Sequence, residues 1–283
     1  MTKFGLEVEC CANTEIVKLG KDGYHGHDAV TFADGFWKSE RDGSLRYGDF
    51  THSDAYEFIS KKCEDEEEFR QAVKKFVEFF SNNGKHELNE VLNFNDSTGC
   101  HVHFSLDNDK FKFKKLITFT SFMALRNFFF TRLSASSLNS DAKRKIKERY
   151  FRSYSRKLTK GNFNNTGERY SEFNFCSEDA GLGMEWRSPN LTGINTWKEF
   201  EEMMSIILDS VVFFIKNRSK FVDKKKSKID LSLLSTPMET SGEKMELNIS
   251  VTKRFSMNNV VVNRKDGLVG KNEIINVMGL EFV

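Results

Sequence analysis

Apolar and polar positions alternate with a period of two in several short stretches of this chain. Over residues 4–10, Phe4, Leu6, Val8 and Cys10 are separated by Glu7 and Glu9. Such alternation sends the two sets to opposite faces of a strand, so a strand with one buried face is predicted. The period returns at 99–106, where Cys100, Val102, Phe104 and Leu106 oppose His101, His103 and Ser105. It returns again at 184–188, with Met184 and Trp186 against Glu185 and Arg187. Residues 35–40 and 56–60 read as shorter strands, separated by a turn at Asp42-Gly43-Ser44.

Elsewhere the period is helical. Residues 65–80 open with acidic side chains that complement a helix dipole and repeat Phe69, Val73, Phe76, Val77 and Phe80. Asn82-Asn83-Gly84 closes that helix. Residues 113–133 predict a buried helix. Residues 196–220 predict a long one carrying Trp197, Phe200, Met203, Met204, Ile207 and Val211. Residues 25–34 and 162–174 read as loop, and 140–160 as basic helix or loop. Residues 244–283 read as short strands around Asp266-Gly267. Strands and helices mix without regular βαβ alternation, which predicts an α+β fold with a largely antiparallel sheet. The lysine run at 224–228 suggests a surface break. The expected organisation is a catalytic domain over 1–222 and a strand-rich extension over 223–283, packed on the same domain.

Composition narrows the class. A chain of 283 residues with 39% hydrophobic and 30% charged residues suits one large domain, or one with an appendage. A net charge of +2 argues against a surface given over to nucleic acid or membrane. Five cysteines, an odd number with no CxxC pair, fit a reducing compartment rather than a disulfide framework. The first residues carry charge where a signal peptide would be apolar. Arg126 and Asp209 interrupt the longest apolar runs, so no membrane segment is expected. A cytoplasmic protein is the expectation. Abundant Lys, Phe and Asn fit an AT-rich genome, bacterial or phage, which would put the protein in a bacterial cytoplasm.

The chemistry lies in three strand pairs: Glu7/Glu9, His101/His103 and Glu185/Arg187. Residues two apart on a strand share a face. If these strands share a sheet, one face gathers carboxylates, imidazoles and a guanidinium. Clustered carboxylates repel unless cations compensate them. Carboxylate oxygens suit Mg²⁺ or Mn²⁺, and imidazole favours Mn²⁺ of the two. Singly, a Glu-x-Glu is most often a wet sheet face and a Glu-x-Arg a surface ion pair. It is the concurrence of three such pairs that points to a site. Two other classes stay open. His-x-His with nearby Glu can bind Zn²⁺ in a hydrolase. Residues 143–160, where Lys and Arg interleave with Tyr150, Phe151 and Tyr154, can contact a single-stranded nucleic acid.

Phe4-Gly5-Leu6-Glu7-Val8-Glu9 resembles the opening strand of the amidoligase family, within the glutamine synthetase and gamma-glutamylcysteine ligase superfamily. Trp37, Asp42-Gly43-Ser44-Leu45 and Glu57-Phe58-Ile59-Ser60 resemble its next block. Thr98-Gly99-Cys100-His101-Val102-His103-Phe104-Ser105 is similar to its G-x-H-x-H strand. Arg169-Tyr170 with Asn174, and Glu185-Trp186-Arg187-Ser188, resemble its later blocks. The likeness covers positions 4–192. It implies a curved antiparallel sheet like the glutamine synthetase catalytic domain, with helices on its outer face. It implies ATP-dependent joining of a small-molecule or peptide carboxylate to an amine through an acyl phosphate. Carried over residue by residue, Glu9 and Glu57 would hold one Mg²⁺, and Glu7, His101 and Glu185 another. Arg187 would neutralise the transferred phosphoryl group, and Arg169 a phosphate or the carboxylate substrate. Ser105 and Asn174 would lie at the nucleotide. Asp42, Ser44 and His103 would line the substrate side. An acyl phosphate must be kept from water, so a covering loop is expected, and the polar residues 160–167 are the candidate lid. Substrate identity and oligomeric state are not legible in the chain.

Overall fold

A strand of ten residues, β1 (Phe4–Asn13), runs through the middle of the main sheet. Around it lie β2 (Val30–Phe32), β3 (Trp37–Arg41), β4 (Ser53–Ser60), β5 (Leu92–Asn93), β6 (Cys100–Phe104), β7 (Phe173–Asn174) and β8 (Met184–Trp186). The order across the eight-stranded sheet is β2-β3-β4-β1-β6-β8-β7, with β5 on β1. Every pairing is antiparallel. The structure is a computed structural model. It describes residues 3–19, 30–46, 50–105, 119–150, 157, 171–174 and 184–217, with the backbone of short strands between 238 and 268.

The apolar face of the sheet is covered by helices. Phe4, Leu6, Val8 and Cys10 of β1, Trp37 of β3, Phe58 of β4 and Val102 of β6 are all buried. Helix α1 (Glu66–Ser81) lies over them: the Trp37 indole N–H donates to the Ala72 carbonyl at 2.7 Å, and Phe58 meets Phe76 at 5.6 Å between ring centroids. The one-turn helix α2 (Leu88–Val91) leads into β5. After α3 (Phe119–Ala135), helix α4 (Ser140–Tyr150) packs on the β8 side. There the Trp186 indole N–H donates to the Tyr150 hydroxyl at 3.1 Å. Helix α5 (Trp197–Asn217) brings Phe200 into a stack with Phe76, 5.2 Å between centroids. The α1 ends follow the sequence rules: Asp65 caps the Glu68 N–H, and Asn82 takes the left-handed conformation at φ 49°.

Two stretches read as loop from the sequence contain strands. Val30–Phe32 pairs with β3, because the four residues 33–36 turn the chain with positive φ at Ala33, Asp34 and Gly35. Phe173–Asn174 pairs with β8, at a length too short for a period of two to register. Residues 140–150 resolve as helix, and Tyr150 within them is core, hydrogen-bonded and fully buried, so its ring is closed to base stacking. Phe151 and Tyr154 lie outside the described residues.

The chain divides into two compact units. One comprises Met1–Phe113 with Ser137–Asp209, and the other Lys114–Ser136 with Ser210–Val283. The first contains the whole eight-stranded sheet. Within the second, Phe128 and Phe213 stack at 4.1 Å, and five further strands form two small antiparallel sheets. No described helix is long and apolar enough to cross a membrane.

Candidate metal centre

The second face of the same strands gathers the polar pairs. The antiparallel register sets Glu7 opposite His101, and Glu9 opposite Glu57, which itself faces Glu40 on β3. It also sets His103 opposite Glu185, and Glu185 opposite Asn174. Cross-strand neighbours on one face lie about 4.5–5.5 Å apart at Cβ. Long side chains from four strands therefore meet above the sheet. His101 (4% exposed), Glu185 (5%) and His103 (8%) are buried.

Glu7 is the hub. Its Oε2 lies 3.1 Å from His101 Nδ1, and its Oε1 lies 2.8 Å from His103 Nε2. The first contact is a hydrogen bond. The second is an equally close ion-pair contact. Glu185 Oε1 lies 3.5 Å from His101 Nδ1 and accepts from Arg187 Nη1, while Asn174 donates to Glu185 Oε2 at 3.0 Å. Two groups of donor atoms converge, each within 4.8 Å: Glu7 with Glu57 and His101, and Glu7 with His103 and Glu185.

The electrostatics are those of a face crowded with carboxylates. Burial, then the charges of Glu7 and Glu9, push the Glu57 carboxyl up to about 9. Burial would also raise Glu7, but contacts from the two imidazoles outweigh it and hold that carboxyl well below its ordinary range. For His101 burial acts downward; the Glu9 charge and the bond to Glu7 overcome it and raise the imidazole above its ordinary value. Protons are thus held on Glu57 and His101 among the carboxylates of this face. Its donor set, carboxylate oxygens with imidazole nitrogens, fits Mg²⁺ or Mn²⁺ and also Zn²⁺.

The remaining residues singled out from the sequence fall into place unevenly. Glu9 stands beside both groups: its Oε2 accepts the Gly99 N–H at 2.6 Å, and its Oε1 is 3.7 Å from His101 Nε2. Asp42 accepts the Ser44 N–H at 2.8 Å in a tight turn and is near enough to Glu57 to help raise its pKa; Ser44 is exposed. Ser105 sits at the far end of β6, where its hydroxyl accepts the Lys3 N–H at 3.2 Å. Arg169 and residues 160–167 lie outside the described residues. Cys100 is fully buried on the apolar face, and burial raises its thiol. Two acidic residues had escaped notice in the sequence. Glu40 is buried beside Glu57 and paired with Lys38 at 2.8 Å; the alternation of Trp37, Lys38, Ser39 and Glu40 was its only signal. Glu172 is fully buried two residues before Asn174, and its carbonyl accepts the Arg187 N–H at 3.0 Å.

Fold and site together define an α+β protein whose antiparallel sheet carries a buried carboxylate–imidazole cluster suited to divalent cations. No protein-family model matches the chain, and no curated protein matches it.

Proposed function

We propose that the protein is an ATP-dependent carboxylate–amine ligase of the kind its strand motifs resemble, joining a carboxylate to an amine through an acyl phosphate. The meeting of Glu7, Glu57, His101, His103, Glu185 and Arg187, drawn from four strands far apart in sequence, carries this reading. Phosphoryl transfer asks mainly for positioning and charge neutralisation. Mg²⁺ or Mn²⁺ held by these carboxylates and imidazoles would neutralise and orient phosphate oxygens. Arg187 donates to Glu185 and lies close enough to His101 to lower its pKa. Among the described residues its Nε has no hydrogen-bond partner, which leaves a buried donor for an oxyanion. Asn174 fixes the far oxygen of Glu185 and so its orientation.

A zinc-type hydrolase is the second reading. The presence of both His101 and His103 in the cluster favours it.

A thermal-shift titration decides between them. Mg²⁺ with ATP, or with a non-hydrolysable analogue, at about 100 times Kd should stabilise the fold by about 2.7 kcal/mol, a rise of about 4 °C for a chain this size. Glu185→Gln should lose that rise while keeping the metal-free midpoint, and ADP release with carboxylate and amine pairs should fall with it. Absence of any shift with Mg²⁺ and ATP, alongside a clear shift with Zn²⁺ alone, would replace the ligase reading by the hydrolase.

A further inference from the structure

We propose that Arg46 receives an anionic group of the substrate, a carboxylate or a phosphate apart from the reacting centre, at the end of the polar face beyond Glu9. Glu7, Glu9 and Cys11 follow one another at two-residue steps on one face of β1. Cys11 thus lies roughly 7 Å from Glu9 along the strand. Ala55 on β4 and Asn93 on β5 stand opposite it. The turn of residues 42–46 runs over this end, because the fully buried Cys11 Sγ donates to the Arg46 carbonyl at 2.8 Å.

Three side chains grip the backbone of Arg46. Its N–H donates to Ser97 Oγ at 2.9 Å, and its carbonyl accepts from Asn95 Nδ2 at 3.1 Å as well as from Cys11. The grips are themselves fixed, since Asn95 Oδ1 accepts the Ser97 N–H at 2.8 Å and the Ser97 hydroxyl at 2.6 Å. The same loop ends in Gly99, whose N–H holds Glu9 at 2.6 Å. Arg46 is therefore anchored to the segment that positions a carboxylate of the candidate centre.

The side chain on this ordered backbone is exposed, and among the described residues its guanidinium has neither a hydrogen bond nor an ion pair. Other cations of the face are already engaged: Lys38 pairs with Glu40 at 2.8 Å, and Arg187 donates to Glu185. An always-charged planar fork binds carboxylate or phosphate through two parallel hydrogen bonds. Holding its backbone in place beforehand reduces the ordering that binding must impose. The carboxylates in the middle of the face repel a further anion, so the unengaged guanidinium at the end directs where that anion docks. Asn93 Oδ1, buried and without a hydrogen-bond partner among the described residues, offers an acceptor at the same end. The ligand class is a small molecule with a second oxyanion beside its reacting carboxylate.

The inference rests on the ligase reading in calling this ligand a substrate, and its test needs no turnover. Full-length protein in saturating Mg²⁺ is titrated calorimetrically with malonate, succinate, glutarate, adipate and inorganic phosphate, with butyrate as the single-carboxylate control. At least one dicarboxylate, or phosphate, should bind the wild type about tenfold or more tightly than butyrate, the scale of a charge-assisted hydrogen bond. Arg46→Met should remove that preference and leave the melting midpoint of the ligand-free protein unchanged, because every described hydrogen bond of Arg46 runs through its backbone. Whichever anion loses affinity in this variant tells a carboxylate-bearing from a phosphate-bearing substrate. Asn95→Ala keeps the guanidinium but loosens its backbone, and should lose part of the preference. Equal binding of all the anions to wild type, or a preference that survives in Arg46→Met, overturns the proposal. An Arg46-dependent preference in a protein that ignores Mg²⁺ and ATP keeps the anion receptor and sinks the ligase. A protein stabilised by Mg²⁺ and ATP in which Arg46→Met binds every anion like wild type does the reverse.

Discussion

Gly99 shows how tightly one position can be specified. A Cβ there would lie 2.7 Å from His101 Nε2 and 3.1 Å from Glu9 Oε2, inside the contact distance side chains tolerate. Its N–H is also the donor that holds Glu9. Gly99→Ala should therefore push the imidazole away from Glu7 without disturbing the sheet. Cation affinity should fall about tenfold or more, the usual scale for losing an orienting partner, with an unchanged far-ultraviolet spectrum. A Mn²⁺ titration equal to wild type would show that His101 does not depend on this contact. The sequence marked Gly99 as the start of a strand and paired Glu9 with a metal. Only the structure brings those two residues within a hydrogen bond, because their encounter depends on strand register. Glu40 escaped notice for a related reason: a lysine and a glutamate two apart on a short strand look like any wet sheet face until Glu57 is found opposite.

Elements with a strong period were legible, and the reason is physical. A ten-residue strand or a sixteen-residue helix with one buried face must repeat its apolar positions. In α1 the repeat delivers Phe76 against Trp37, Phe58, Phe80 and Phe200, with ring centroids 4.6–5.6 Å apart. Phe76→Ala would open a cavity at the junction of sheet and both helices. Urea unfolding should register a loss of about 3–5 kcal/mol, and a loss below about 1 kcal/mol would mean the site collapses readily. The short edge strands β2 and β7 carry no comparable pattern. They exist because a neighbour offers them a free edge, and no local window of sequence contains that neighbour.

For the molecule as a whole, the identity of the polar face was readable but its wiring was not. Three pairs of ionisable residues announced a face of carboxylates, imidazoles and a guanidinium. Which pair lay beside which, and that His103 would stand against an oxygen of Glu7, depended on the order β4-β1-β6-β8. The crowding that results should govern stability in the metal-free protein. Glu57, with its folded pKa raised to about 9, stays protonated in the fold at pH values where the unfolded chain has ionised. The fold then binds the extra proton, so stability declines as pH rises from the unfolded value near 4.5 toward about 9. His101, also raised, acts in the same sense above its ordinary range. Glu7, lowered, contributes stability above the ordinary carboxylate range and loses it only in acid. Chelator-treated protein should melt lower at about pH 9 than at about pH 6, and Glu57→Gln should narrow the difference. Equal midpoints at the two pH values in the wild type would contradict a shared proton on this face. The central position of β1 has a further meaning for a chain made from its first residue onward. Glu7 and Glu9 are synthesised before β6 brings His101 and His103, the imidazoles that compensate Glu7, and before β8 brings Glu185. One converging donor set, Glu7 with Glu57 and His101, is present once β6 has been translated, whereas the set that includes Glu185 waits for β8, so the compensation of this face is completed in two stages.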